Sequence, residues 1–196
     1  MFDYIKGGIA ELNPAYVVID AHGVGYCIHI TLQTYTQLNG AAEAKLYVYE
    51  AIREDAHLLF GFMNPAERQL FLLLISVSGI GANTARMIMS SYSVQEIQEI
   101  ISGGNDRALN AIKGIGNKTA QRIIVDLKDK ILKISGTSSP AGTLLYANSD
   151  TREEAVSALV MLGFSSAASQ KVVDQLFKTD PSLKVEQVIK QALKLL

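Results

Sequence analysis

Gly79-Ile80-Gly81-Ala82-Asn83-Thr84-Ala85 and Gly114-Ile115-Gly116-Asn117-Lys118-Thr119-Ala120 are two copies of one short pattern, 35 residues apart. Each copy lies between segments of helical period. Leu70, Phe71, Leu74 and Ile75 precede the first. Ala120, Ile123, Ile124 and Leu127 follow the second as one apolar stripe, with Arg122, Asp126 and Lys130 on the polar side. The reading is helix, hairpin, helix, written twice.

Glycine reaches positive φ without a Cβ clash, so Gly-Ile-Gly reverses the chain tightly and leaves the next helix's first amides facing outward. Those amides and the helix dipole attract a phosphate. Gly79, Gly81, Asn83 and Thr84 in the first copy, with Gly114, Gly116, Asn117, Lys118, Thr119 and Arg122 in the second, are the candidate DNA-binding residues. Ile80 and Ile115 are expected to turn inward as anchors. Contacts of this kind touch phosphates and not base edges, so they hold DNA without reading its sequence. A single glycine pair could be a helix C-cap in a bundle, but repetition of the whole pattern argues against that.

The charge distribution agrees. The chain of 196 residues has a net charge of −1, divided unevenly. Residues 1–62 carry 3 Lys/Arg against 7 Asp/Glu, residues 63–134 carry 9 against 6, and residues 135–196 carry 6 of each. The positive surplus falls on the segment with the hairpins.

Upstream, residues 1–62 read as β structure. The segments 4–9, 16–21, 25–31, 46–52 and 58–62 are rich in Val, Ile, Tyr and Phe, with Gly7-Gly8, Asn13-Pro14, His22-Gly23 and Asn39-Gly40 as punctuation. Five short strands in this length suit a small OB-type barrel. Asn64-Pro65-Ala66-Glu67 then announces a helix, with an N-cap, a proline at the first helical position and a glutamate at the third. Residues 63–134 form the helical tandem helix-hairpin-helix domain, and 135–149, uncharged and without period, read as a flexible linker. Residues 150–196 read as a three-helix domain. Asp150 or Thr151 caps its first helix, Gly163 ends that helix, Ser165 or Ser166 opens the second, and Asp180-Pro181 breaks before the third. Leu159, Leu162 and Phe164 around Gly163 are its candidate partner-binding residues, with the alternative that all three belong to its core. The overall class is α+β and multidomain.

Several chemistries are excluded or set aside. Cys27 is the single cysteine, and with His22 and His29 it has no evident fourth ligand, so no metal and no cofactor is expected. The run from Gly114 to Thr119 echoes a phosphate loop, but a P-loop needs four residues between its glycines and Lys directly after Gly. A glycosylase needs a pocket for a flipped base and a catalytic Lys or Asp, which the pattern does not offer. No catalytic residue is expected. A protein adaptor that never meets DNA, and a generic duplex binder, stand as alternatives. No apolar run is long enough for a membrane span and the first residues do not read as a signal peptide, so the cytoplasm is the expected compartment.

The order of barrel, paired hairpins, linker and three-helix tail resembles the bacterial RuvA family. The resemblance is carried by Gly23-Val24-Gly25-Tyr26, Arg53-Glu54-Asp55-Ala56 with Leu59-Phe60-Gly61-Phe62, both hairpins, and Ala158-Leu159-Val160-Met161-Leu162-Gly163-Phe164. It implies a homotetramer, or an octamer of two tetramers, that holds a four-way DNA junction open. It also implies a UBA-like C-terminal domain that tethers a hexameric RuvB-type ATPase, and a RuvC-type resolvase as a further partner. In the family, acidic residues at the place of Glu54 and Asp55 form a pin near the crossover. Asn83 and Asn117 depart from the lysine expected at such hairpin positions in some members, which leaves Lys118 and Arg122 as the charges there.

Overall fold

The computed structural model describes residues 1–135, 147–180 and 183–196. The chain divides into two compact units, Met1–Ser138 and Ser139–Leu196. Most of the linker expected over 135–149 lies outside the described residues.

The first unit opens with a closed five-stranded barrel. Its strands are β1 (Tyr4–Asn13), β2 (Tyr16–Ala21), β3 (Val24–His29), β4 (Glu43–Ile52) and β5 (His57–Phe62), in the order β1-β2-β3-β5-β4. Every pairing is antiparallel except β3 with β5. Alternation puts Val17, Ile19, Ile28, Leu46 and Val48 inside the barrel. This is the OB-type barrel that the strand spacing predicts.

Two details differ from the sequence reading. First, β1 does not break at Gly7-Gly8 but continues to Asn13, with a register shift between Ile9 and Glu11. A Cβ on Gly7 would stand 2.0 Å from the Asp20 carbonyl oxygen, so here glycine permits strand contact instead of a turn. Second, a short helix, α1 (Leu32–Leu38), lies between β3 and β4. Thr31 Oγ1 caps it by accepting the Thr34 N–H at 3.1 Å, and Thr34 and Leu38 are buried with the barrel core.

The helices α2 (Pro65–Ile75), α3 (Ala82–Ser91), α4 (Val94–Ser102), α5 (Asp106–Asn110) and α6 (Asn117–Ser135) follow. At the start of α2, Asn64 Oδ1 accepts the Glu67 N–H at 2.9 Å, while Glu67 Oε2 accepts the Met63 N–H at 3.0 Å. Burial pushes the Glu67 carboxyl up, while the Met63 N–H and the Asn64 side-chain amide, which donates to Glu67 Oε1 at 2.8 Å, pull it back. Strand β5 is buried on both sides. A Cβ on Gly61 would stand 2.6 Å from Ile28 inside the barrel, while Phe60 and Phe62 face outward onto Phe71 of α2, ring centroids 5.5 and 4.9 Å away. Phe60 and Phe62 share one continuous core with Leu74, Ile88, Ile97, Ile123 and Leu127. Burying side chains of this size contributes roughly 1.5–3 kcal/mol each.

Polar contacts fix the same junction from two sides. Arg68 of α2 donates to Asp3 O at 2.8 Å and to Asp3 Oδ1 at 2.7 Å. Arg86 of α3 donates to Ala15 O at 2.8 Å, in the turn between β1 and β2. Barrel and hairpin region therefore form one body.

The second unit holds α7 (Ala147–Met161), α8 (Ser166–Thr179) and α9 (Val185–Ala192) around a core of Ala155, Leu159, Val173, Phe177 and Val188. Helix α7 begins at Ala147, ahead of the caps expected at Asp150 or Thr151; alanine is a strong helix former. It ends as expected at Gly163, with φ of +101°, where Phe164 N–H returns to Leu159 O and Gly163 N–H to Val160 O. Ser165 caps α8. Among the described residues no helix is long and apolar enough to cross a membrane.

Candidate nucleic-acid interface

The two hairpins are built from corresponding parts. Helix α2 ends at Ile75 and α5 at Asn110; Val77 and Ile112 are buried two residues later, and their carbonyls accept Ile80 N–H at 3.0 Å and Ile115 N–H at 3.1 Å. Gly79 and Gly114 then take φ of +92° and +90°. That left-handed conformation costs any other residue roughly 1–2 kcal/mol. Ile80 and Ile115 turn inward, 5% and 3% exposed, and pin each loop to the core as expected. Gly81 and Gly116 start the next helices, their carbonyls accepting Ala85 N–H and Ala120 N–H at 2.9 Å. Ala85 and Ala120, and behind them Ile88 and Ile123, are fully buried. Even the pattern of exposure repeats.

On the outer side, Gly79, Gly81, Gly114 and Gly116 have open space where a Cβ would project. Positive φ accounts for Gly79 and Gly114. At Gly81, with φ of −89°, the fold itself does not demand glycine. What the missing Cβ leaves is a bare shelf of backbone in front of the first-turn amides of α3 and α6, accessible to a ligand as close as van der Waals contact. Asn83, Asn117, Lys118 and Arg122 are exposed around these shelves, and Thr84 and Thr119 are half-buried. Arg122 reaches from α6 to the first loop, its Nη1 3.4 Å from Ser78 O. Lys113, exposed in the turn before Gly114, joins the same surface. Sequence reasoning missed it by starting the motif at the glycine.

Glu54 and Asp55 form the exposed tip of the β4–β5 hairpin, whose loop is closed by Arg53 N–H on Ala56 O at 2.8 Å. At its base, His57 Nε2 lies 2.7 Å from Glu50 Oε1. The base of this hairpin and the first glycine hairpin are opposite walls of one cleft of about 570 Å³, lined by Tyr49, Glu50, Arg53, Ile80, Gly81 and Ala82 among others. The base of the acidic loop and the first glycine loop thus line the same cleft. That juxtaposition is not visible in the linear sequence.

Elsewhere the candidate residues separate. Leu159 is fully buried in the tail's core and has no surface to offer a partner, because it sits on the inner face of α7 against α8 and α9. Phe164 is half-buried against the same core. Leu162 is exposed, together with Val160 and Met161, the last at 86%. Val160-Met161-Leu162 is thus one accessible apolar stretch of the tail, and Leu193, Leu195 and Leu196 are exposed as well. Cys27 is exposed, whereas His29 packs against Phe60 at 5.5 Å; burial, with Arg86 nearby, lowers its pKa. Among the described residues no three His, Cys, Asp or Glu side chains converge as metal ligands would.

Fold and site together define a tandem helix-hairpin-helix protein carried on an OB-type barrel, with an acidic loop beside its first hairpin. Residues 1–61 match the family described as RuvA N terminal domain, residues 71–129 the SAM-like helix-hairpin-helix tandem, and residues 150–196 the RuvA C-terminal domain. Relatives named Holliday junction branch migration complex subunit RuvA align over nearly the whole length of both chains. That of Bacteroides fragilis is 55% identical over 99% of each chain, that of Azobacteroides pseudotrichonymphae 52% over all of each, and that of Porphyromonas gingivalis 46% over all of each. The chain belongs to the RuvA family.

Proposed function

We propose that this protein binds four-way DNA junctions by their phosphate backbones and serves as the non-catalytic, DNA-holding subunit of a branch-migration complex. The observation that carries the reading is the pair of matching hairpins, each offering bare backbone and first-turn amides at an exposed helix start. The names of the relatives support the junction as the substrate.

On this reading each hairpin takes a phosphate, one from each strand of a duplex arm, and Lys113 and Lys118 add charge beside the second. A homotetramer brings four such pairs to the four arms, with Glu54 and Asp55 of every subunit near the crossover. Carboxylates gathered there repel phosphates and favour separated strands. No residue of this chain hydrolyses ATP; a RuvB-type ATPase supplies that step and docks on the tail's exposed Val160-Met161-Leu162 tip. A RuvC-type resolvase is a further partner on the open junction.

The test is a gel-shift titration on a synthetic four-way junction and on a linear duplex of the same sequence, at two salt concentrations. Junction preference that weakens with salt is the expected result. Equal affinity for both would leave a generic duplex binder, and binding to neither would favour the protein adaptor.

A further inference from the structure

Aligned residue for residue at the spacing of 35, the two hairpin units carry very different charge. Lys113, Lys118 and Arg122 of the second correspond to Ser78, Asn83 and Met87 of the first. All three cations are exposed. The first unit's own cation, Arg86, is half-buried and spent on the Ala15 carbonyl of the barrel. Yet the two loops share the same turn, the same inward isoleucine and the same bare glycines. One shelf is therefore charged and the other neutral, although both have the same backbone. A hydrogen bond to an ionised donor is roughly twice as strong as one between neutral groups. A phosphate on the first shelf would be held far less firmly than its counterpart.

Arg122 is placed to make up the difference. It arises one turn into α6, in the second unit, but its guanidinium lies at the first, 3.4 Å from the carbonyl of Ser78, the residue before Gly79. One N–H on that carbonyl orients the group and leaves its other donors available. On the barrel side of the cleft, Arg53 also faces Gly81 and Ala82, but it is followed directly by Glu54 and Asp55, whose charges oppose it.

We propose that Arg122 acts on behalf of the first hairpin: oriented by Ser78 O, it lends the phosphate held at Gly79–Thr84 the positive charge that this unit lacks. The assignment rests on the DNA-backbone reading above. It makes Arg122 a link between the two grips, contributed by one hairpin unit and used by the other.

Relocating the charge tests it. Junction affinity is measured by fluorescence anisotropy across a salt series for the wild type, for Arg122→Gln, and for Arg122→Gln combined with either Asn83→Lys or Asn117→Lys. Thermal melting checks that these exposed substitutions leave the fold intact. Arg122→Gln is expected to weaken binding at least tenfold and to reduce the salt slope by about 0.9 per subunit, the value of one phosphate neutralisation, and so by about 3.6 for a tetramer that loses all four. Asn83→Lys places a lysine on the first hairpin where Lys118 stands on the second, and should restore affinity to within about twofold. Asn117→Lys adds the same charge at the second hairpin and should leave most of the loss. Equal rescue by both lysines would overturn the assignment, as would wild-type affinity and slope in Arg122→Gln. A wild-type protein that binds neither junction nor duplex would instead overturn the DNA reading itself, and the assignment with it.

Discussion

Gly81 and Gly116 have open space where a Cβ would stand, whereas a Cβ on Gly7 would lie 2.0 Å from a backbone oxygen of Asp20. The two situations separate glycine for a ligand from glycine for the fold. Gly81→Ala combined with Gly116→Ala should therefore melt within a degree or two of the wild type, yet lose about tenfold in junction affinity, because two methyl groups now stand where phosphates approach. Gly7→Ala should do the reverse, costing about 1–3 kcal/mol or more by overpacking. Melting curves and anisotropy on the same three samples decide the matter; a stability loss in the double alanine variant would return those glycines to the fold. At this scale the sequence was readable where a residue's role is local. The positive φ of Gly79 and Gly114 and the inward turn of Ile80 and Ile115 follow from the Gly-Ile-Gly pattern alone. Arg122 was legible as a cation near the second hairpin, but its reach to Ser78 spans 44 positions, and no local pattern encodes that.

Among the elements, α2 was the most legible, since Asn64, Pro65 and Glu67 each perform the capping role that their positions predict. Asn64→Ala removes the acceptor of the Glu67 N–H and should cost about 1 kcal/mol in chemical denaturation. Because Asn64 follows β5 almost directly, fraying at this end of α2 would first loosen the seam where Phe71 packs on Phe60 and Phe62. An unchanged denaturation midpoint would remove the cap from the list of stabilising contacts. Helix α1 was missed for a physical reason. Leu32-Gln33-Thr34-Tyr35-Thr36-Gln37-Leu38 is too short to display a period and rich in residues that favour strands, so only its docking onto the barrel core, through Leu38, makes it a helix. Strand β5 shows a related effect: Leu-Leu-Phe-Gly-Phe does not alternate because both of its faces are buried.

For the molecule as a whole, the shared core of β5 and the helices, with Arg68 and Arg86 on either side, holds the acidic loop at a set distance from the hairpins. If the proposed tetramer forms, eight carboxylates from Glu54 and Asp55 surround the crossover. Replacing both by glutamine should leave junction affinity equal or higher and change the rate of branch migration driven by the ATPase partner. A fall in affinity would give the pair a structural role in the β4–β5 turn instead. The tail is a unit with its own core, which takes up Leu159 and leaves Met161 and Leu162 exposed.

The sequence by itself determined the repeated hairpins, the five-stranded barrel, the three-helix tail and the order in which they come, because each rests on patterns a few residues long: hydrophobic period, glycine, and capping side chains. Only the tertiary structure decided which exposed groups face one another: the acidic loop across a cleft from the first hairpin, Arg122 beside a turn that is not its own, and Met161 outside where Leu159 is inside. The first two relations join residues far apart in the chain and are set by packing of the shared core, and the third is set by the tail's own core.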